Sequence, residues 1–307
     1  MFEQFFGNYL VGRGKLSKEE LNRVIQKQKE TRAKLGLIAV AEKLLTAQEA
    51  EEVNEIQGRL DRRFGDIAVD KGFLTAKQVE HLLNLQGNPY LCFVQSITEA
   101  GFMTVEEVEA ELANYQEENG FTMTDMEALK SGDVDRIAPL FIPDWHVLYF
   151  EYITLTFRMI SRILHIPFYF GKVRKQTEYE IECMGVQELK GAHDLFAGLS
   201  GKNNNLLVIA ENFAREKFEG VNDDAFDAVC EFINCINGMF ASNLSGRNID
   251  LEICVPCWYQ NRILSSKNQF YVVPLYFDDK EVDLVVAIDI AYDIIDPKCG
   301  EPTELKG

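Results

Sequence analysis

At 307 residues, 47% apolar and 26% charged, the chain is long enough for two domains with cores of their own, and its composition excludes a disordered or fibrous protein. The net charge of −18 is uneven: residues 1–98 hold 14 basic and 13 acidic side chains, so the negative excess lies in 99–307 and argues against nucleic acid as a partner there. No amino-terminal signal pattern is present, and the most apolar long stretch, Trp145–Leu164, is interrupted by Glu151, Arg158 and Arg162. The expected location is therefore the cytoplasm, without membrane insertion.

The first 120 residues read as four copies of one unit. FFGNYLVGRGKLSKEELNRVIQKQ from Phe5, KLGLIAVAEKLLTAQEAEEVNEIQ from Lys34, RFGDIAVDKGFLTAKQVEHLLNLQ from Arg63 and CFVQSITEAGFMTVEEVEAELANY from Cys92 align without gaps at a period of 29. Ser17, Thr46, Thr75 and Thr104 occupy one position, and Glu20, Glu49, Gln78 and Glu107 follow three residues later. That spacing is a capping box opening a helix, so each copy is a short helix, a turn and a longer helix. Gly14, Gly72 and Gly101 supply the turn; the second copy has Lys43, which should strain or reshape it if a positive φ is needed.

Copies two and three, Lys34–Gln57 and Arg63–Gln86, are 24 residues long with a five-residue spacer. In this they resemble the MshE amino-terminal domain of bacterial secretion and pilus ATPases, whose tandem motifs bind cyclic di-GMP. The resemblance implies contacts from Lys34, Gly36, Gln57, Arg63, Gly65, Asp66, Gly72 and Gln86. Arg63 keeps the motif's arginine, able to stack on guanine and bond its O6/N7 edge. Lys34 replaces the other arginine and cannot reproduce a planar stack. Gly36 and Gly65 allow close approach of backbone, and Asp66 can accept from the guanine N–H groups. Copy one begins at Phe5, and copy four lacks the leading Arg and Gly and ends at Tyr115. Two readings stand: a cyclic di-GMP site, or a helical repeat used for packing and protein contacts.

Residues 121–144, with Gly132, Pro139 and Pro143, read as a linker holding one short helix. Beyond it, Trp145–His165 is apolar at helical spacing and ends before Pro167. PFYFGKVRK, YEIECMGV, AHDLFAGLSG and NLLVIAENF then read as strands, as do IDLEICVPCWY, NQFYVVPLYF and VDLVVAIDI further on. The fold class expected is two-domain: all-α repeats over 1–120, an α/β (α+β) domain with a largely antiparallel sheet over 145–297, and a tail over 298–307. Seven cysteines, an odd number, read as reduced thiols packed in cores. Cys254-Val-Pro-Cys257 sits inside a strand-like run without a second CxxC or a nearby His, against a redox pair or a metal site. No nucleophile elbow, Walker loop or dinucleotide fingerprint occurs.

The stretch most informative about function is Asn222–Gly246. Asn222 reads as an N-cap, Asp223 and Asp224 suit the first turn, and Gly246 reads as a left-handed stop. Phe226, Val229, Cys230, Ile233, Ile236, Phe240 and Leu244 form one apolar stripe. Asp227, Glu231 and Asn234 fall in a row roughly 120° away, among the small residues Ala228, Cys235, Gly238 and Ser242.

Asp227, Glu231, Asn234 and Pro256 together resemble the Asp-x3-Glu-x2-Asn signature, with its later proline, of the CheC/CheX/FliY chemotaxis phosphatases. The family's spacing puts the proline where this chain has Cys257. The resemblance implies hydrolysis of the aspartyl phosphate of a response-regulator receiver domain, with Asn234 orienting the attacking water and Glu231 pairing with the receiver's active-site lysine. Asp227 and Pro256 would then belong to the docking surface. The Mg²⁺ would belong to the partner, and the protein would need no cofactor of its own. The order helix, strands, signature helix, strands also resembles CheX-type domains over 145–297. The alternative is a non-catalytic adaptor that couples cyclic di-GMP or a protein partner to a signalling complex.

Overall fold

The computed structural model describes residues 1–30, 32–59, 62–142 and 147–297. The backbone separates into two compact units, Met1–Ile137 and Ala138–Gly307.

In the first unit four helix pairs follow one another: α1 (Phe2–Gly12) and α2 (Lys18–Glu30), α3 (Leu35–Ala41) and α4 (Ala47–Arg59), α5 (Phe64–Asp70) and α6 (Ala76–Asn84), α7 (Pro89–Glu99) and α8 (Val105–Asn119). The first helices end at residues 12, 41, 70 and 99 and the second helices begin at 18, 47, 76 and 105, so the junction between them recurs at the 29-residue period while the outer ends of the helices vary. Its cause is local. At each second helix the Ser or Thr side chain accepts from the backbone N–H three residues on, and the Glu or Gln side chain accepts from the cap's own N–H. The intervening turn takes φ of 68°, 73° and 74° at Gly14, Gly72 and Gly101, and Lys43 is forced to 56°. Copies one and four meet through the rings of Phe6, Phe93 and Tyr115, and Phe2, just ahead of copy one, also meets Phe93.

Residues 121–142, expected to be linker with one short helix, form two, α9 (Met123–Ser131) and α10 (Val134–Phe141). A fifth capping box, Thr122 with Asp125, opens α9, and Gly132 at φ 70° closes it. Pro143 and Asp144 lie outside the described residues.

The second unit opens with α11 (Val147–Met159), continued by a π-helical turn over Ile160–Leu164 and stopped by a left-handed His165. Trp145 and His146, where this helix was expected to begin, lie outside the described residues, as does the tail 298–307. Then come β1 (Tyr169–Phe170), β2 (Arg174–Gly191), β3 (Leu195–Gly201), α12 (Leu207–Ala214), α13 (Asp223–Ser245), β4 (Leu251–Ile253), β5 (Cys257–Phe277), β6 (Lys280–Ile288) and β7 (Tyr292–Ile295). They build a seven-stranded sheet in the order β1-β5-β6-β3-β2-β4, with β7 on β5. Every strand pairing described is antiparallel. The long strands β2 and β5 also pair with each other, over Arg174–Val186 and Cys257–Val272.

Four sequence expectations are corrected here: PFYFGKVRK is not one strand, because β1 stops at Phe170 and β2 starts at Arg174 and runs on through YEIECMGV. NLLVIAENF is not a strand: Leu206, Ile209, Ala210 and Phe213 recur at helical spacing, and Leu206, at the N-cap of α12, is buried together with Ile209 and Ala210. IDLEICVPCWY is not one strand, because β4 stops at Ile253 and β5, which also absorbs NQFYVVPLYF, starts at Cys257. Gly246 is right-handed (φ −58°), and the left-handed residue after α13 is Asn248 (φ 60°).

Candidate functional site

α13 forms as its sequence dictates. Asn222 caps it by accepting from the Ala225 N–H at 2.9 Å, and Asp223 and Asp224 place negative charge on its first turn. The seven residues of the apolar stripe are all buried. Val229, Cys230 and Ile233 lie against β2 at Gly185, and Gln187, on the same side of the strand by its period, meets the helix at Asn234 and Asn237. A side chain at Gly185 would put its Cβ 2.8 Å from Val229 Cγ1 and 3.4 Å from Cys230 Sγ. Glycine at this one position therefore lets the helix come down onto the strand. Phe213 of α12 meets Phe232, and Tyr152 of α11 meets Phe240 edge-on, holding α13 from two sides.

The opposite face carries Asp227 and Glu231, both exposed, and a half-buried Asn234. Among the described residues neither carboxylate has an ion-pair partner. Cys235 and Ser242 are exposed beside them, whereas Ala228, expected on this face, is buried. Asp227 and Ala228 also edge a cavity of about 450 Å³ beneath the 214–222 connection. A larger cavity, about 670 Å³, is lined by Glu188, Tyr259, Asp289 and Tyr292 and contains none of the row.

The segment 254–257 runs beside the helix, antiparallel to it. The Cys230 thiol contacts the Cys257 carbonyl at 3.4 Å, and Phe226 stacks on Trp258 at 4.4 Å with an interplanar angle of 6°. Burial pushes the Cys230 thiol up to about 12, so it is a packing residue and not a nucleophile. β2 pairs Leu189 with Ile253 but Val186 with Cys257, so two residues of β2 face three of this segment. That is a one-residue bulge, and a bulge is where a sheet tolerates proline. Pro256 thus stands on the rim beside the row, with Val255 78% exposed. Cys254 and Cys257 are free thiols, and among the described residues no group of His, Cys, Asp and Glu could hold a metal.

Behind the row lies a polar chain that sequence reasoning did not find. Gln187 Nε2 donates to Asn234 Oδ1 and to the Cys254 carbonyl, both at 2.9 Å. Asn237 Nδ2 donates to Gln187 Oε1 at 2.9 Å, and the Tyr152 hydroxyl donates to Asn237 Oδ1 at 2.7 Å. Gln187, Asn237 and Tyr152 are at most 1% exposed. A signal existed: Asn237 is one turn from Asn234 on a face otherwise apolar, and Gln187 interrupts an apolar strand.

The residues of the first unit that the MshE resemblance implies are placed as follows. The Lys34 ammonium binds Glu99 at 2.6 Å. A side chain at Gly36 would meet the Phe64 ring at 3.0 Å, and one at Gly65 would meet Val79 at 2.7 Å, so both glycines serve packing between helices. Gln28, Gln57 and Gln86, spaced by the repeat, each donate a side-chain amide to a backbone carbonyl, of Pro89, Arg62 and Ala33 respectively. Arg63 and Asp66 are exposed at the start of α5, and Gly72 closes the following turn.

Residues 183–276 match the family model of the chemotaxis phosphatase CheX. The matched span begins in β2, contains α13 and the bulge, ends in β5 and lies wholly outside the repeats. Among solved structures the chain is similar to a chemotaxis protein CheX from Desulfovibrio desulfuricans, at 15% identity over 46% of this chain and 98% of that one, TM-score 0.41. It is also similar to a CheC-like superfamily protein from Shewanella sp. PV-4, at 14% over 47% and 99%, TM-score 0.42. A third similarity is to a chain of the CheX–CheY–BeF₃–Mg²⁺ complex from Borrelia burgdorferi, at 17% over 45% and 94%, TM-score 0.37. No curated protein matches the chain. No helix among the described residues is long and apolar enough to cross a membrane.

Proposed function

We propose that the second unit hydrolyses the aspartyl phosphate of a response-regulator receiver domain. The observation that carries this reading is the placement of Glu231 and Asn234, inside the CheX-matching span, on an exposed helix face with the amide held from behind. An acyl phosphate in a receiver sits in the partner's own cleft beside the partner's Mg²⁺. The residue delivered to it must therefore stand on an exposed surface and need not sit in a pocket. Asn234 orients a water in line with the P–O bond to the receiver's aspartate. The water oxygen bonds to phosphorus, the bond to the acyl oxygen breaks with its electron pair going to the aspartate carboxylate, and the water's proton leaves with the phosphate. A neutral amide places that water without repelling the phosphoryl group, as a carboxylate would. Glu231 pairs with a cation of the receiver, and Asp227, Val255 and Pro256 supply the docking rim. The test is decay of phosphoryl label from a panel of phosphorylated receivers: the full chain should accelerate it for at least one. Binding to a receiver without acceleration would leave the adaptor reading.

For the first unit the packing reading has specific support. The glycines are filled against by neighbouring side chains, and the motif-ending glutamines bond backbone between helices. Calorimetry of the full chain with cyclic di-GMP should give no saturable heat, with Lys34→Arg as with wild type. Saturable heat that Arg63→Ala removes would restore the nucleotide reading.

A further inference from the structure

In the polar chain behind Asn234, one atom fixes every orientation. The Cys254 carbonyl can only accept, so the end of Gln187 that touches it is the NH₂ group. That same nitrogen touches Asn234, whose contacting atom must then be Oδ1. The other end of Gln187 is its oxygen, so Asn237 presents Nδ2 to it and Oδ1 to the Tyr152 hydroxyl. Turning any one amide over sets donor against donor or acceptor against acceptor, and with Gln187, Asn237 and Tyr152 at most 1% exposed that mismatch would be buried. The remaining group, Asn234 Nδ2, has no acceptor among the described residues and is not one of their buried unpartnered polar atoms, so it opens to solvent.

We propose that Gln187, backed by Asn237 and Tyr152, is a positioning residue that holds the Asn234 amide with its NH₂ group turned outward; its catalytic consequence rests on the phosphatase reading above, its orientation on geometry alone. The terminal torsion of an asparagine is broad and roughly two-fold, so a free surface amide would present oxygen and nitrogen about equally. Presented outward, the oxygen would face the anionic phosphoryl oxygens. The outward N–H instead binds one lone pair of the attacking water and leaves the other for phosphorus. The bulge at Cys254–Pro256 belongs to the same device. The extra residue frees the Cys254 carbonyl from the sheet ladder, where it becomes the acceptor that sets Gln187.

The test uses the full chain with Gln187→Leu, which removes both amide ends, and Tyr152→Phe, which removes one buried hydroxyl and keeps the fold if the first variant does not. Two readouts are taken. Nitrogen relaxation of the Asn234 side-chain NH₂ needs no receiver and should report an ordered amide in wild type and a loosened one in the variants. The maximal rate of receiver dephosphorylation should fall on the order of tenfold to a hundredfold in Gln187→Leu and about threefold in Tyr152→Phe. Affinity for the beryllofluoride-loaded receiver should move less than about threefold, a split that general destabilisation would not produce. An Asn234 amide equally ordered in all three proteins overturns the proposal. So does an unchanged maximal rate in both variants when Asn234→Ala abolishes turnover. Wild type inactive on every receiver, but with the amide loosened by the variants, would refute the phosphatase reading and leave the positioning chain standing.

Discussion

Lys43 holds a left-handed φ of 56° at the turn where its three sister copies have glycine. For a residue with a Cβ that conformation costs about 1–2 kcal/mol, part of which glycine would give back through its freer unfolded chain. Lys43→Gly is therefore expected to stabilise the protein by about 0.5–1 kcal/mol, read as a higher urea midpoint with unchanged slope. At the site, Glu231 and Asn234 should separate in their effects. If Glu231 pairs with a receiver cation as proposed, Glu231→Ala should weaken receiver binding by about 1–3 kcal/mol, together with lost rate. Titration of the variant against a beryllofluoride-loaded receiver checks this. Unchanged affinity would mean that the carboxylate is merely solvated.

α13 was legible almost residue by residue, because its cap, its stripe and its polar row each obey a helical period that needs no partner to be read. The turn chemistry of the repeats was legible for the same reason. What could not be read was set by pairing between distant strands. β2 and β5 are long strands whose pairing partners change along their length, and the stop between β4 and β5 is a register shift against β2. A run of apolar and β-branched residues looks alike as one strand, two strands or, in the case of α12, a short buried helix. Gln187 stood out in its strand, but its place behind Asn234 follows only once Gly185 has let α13 approach. The seat can be tested directly: Gly185→Ala drives a Cβ to 2.8 Å from Val229 and should cost on the order of 1–3 kcal/mol by thermal unfolding. A neutral or stabilising result would show that the helix is not seated on that glycine.

Over the whole chain, the two units invite different measurements. In the first, the Lys34 ammonium holds the Glu99 carboxyl down to about 2 from an ordinary 4.5, with Lys27 and Gln95 adding to it. A depressed carboxyl contributes stability that is present above its unfolded pKa and lost as pH falls through the folded one. Lys34→Met should therefore be less stable than wild type at neutral pH, with the difference shrinking between pH 4.5 and 2. Denaturant unfolding across that window checks it, and a pH-independent difference would point to packing by the lysine stem instead. In the second unit the central claim is that Asn234 acts at the reacting phosphorus while the rest of the face docks. Loss of an amide that works mainly in the transition state lowers the rate and spares binding. The measurement is decay of phosphoryl label from a cognate receiver with wild type and Asn234→Ala, alongside affinity for the beryllofluoride-loaded receiver. The acceleration should vanish in the variant while affinity stays within about threefold of wild type; wild-type acceleration by Asn234→Ala would contradict the account.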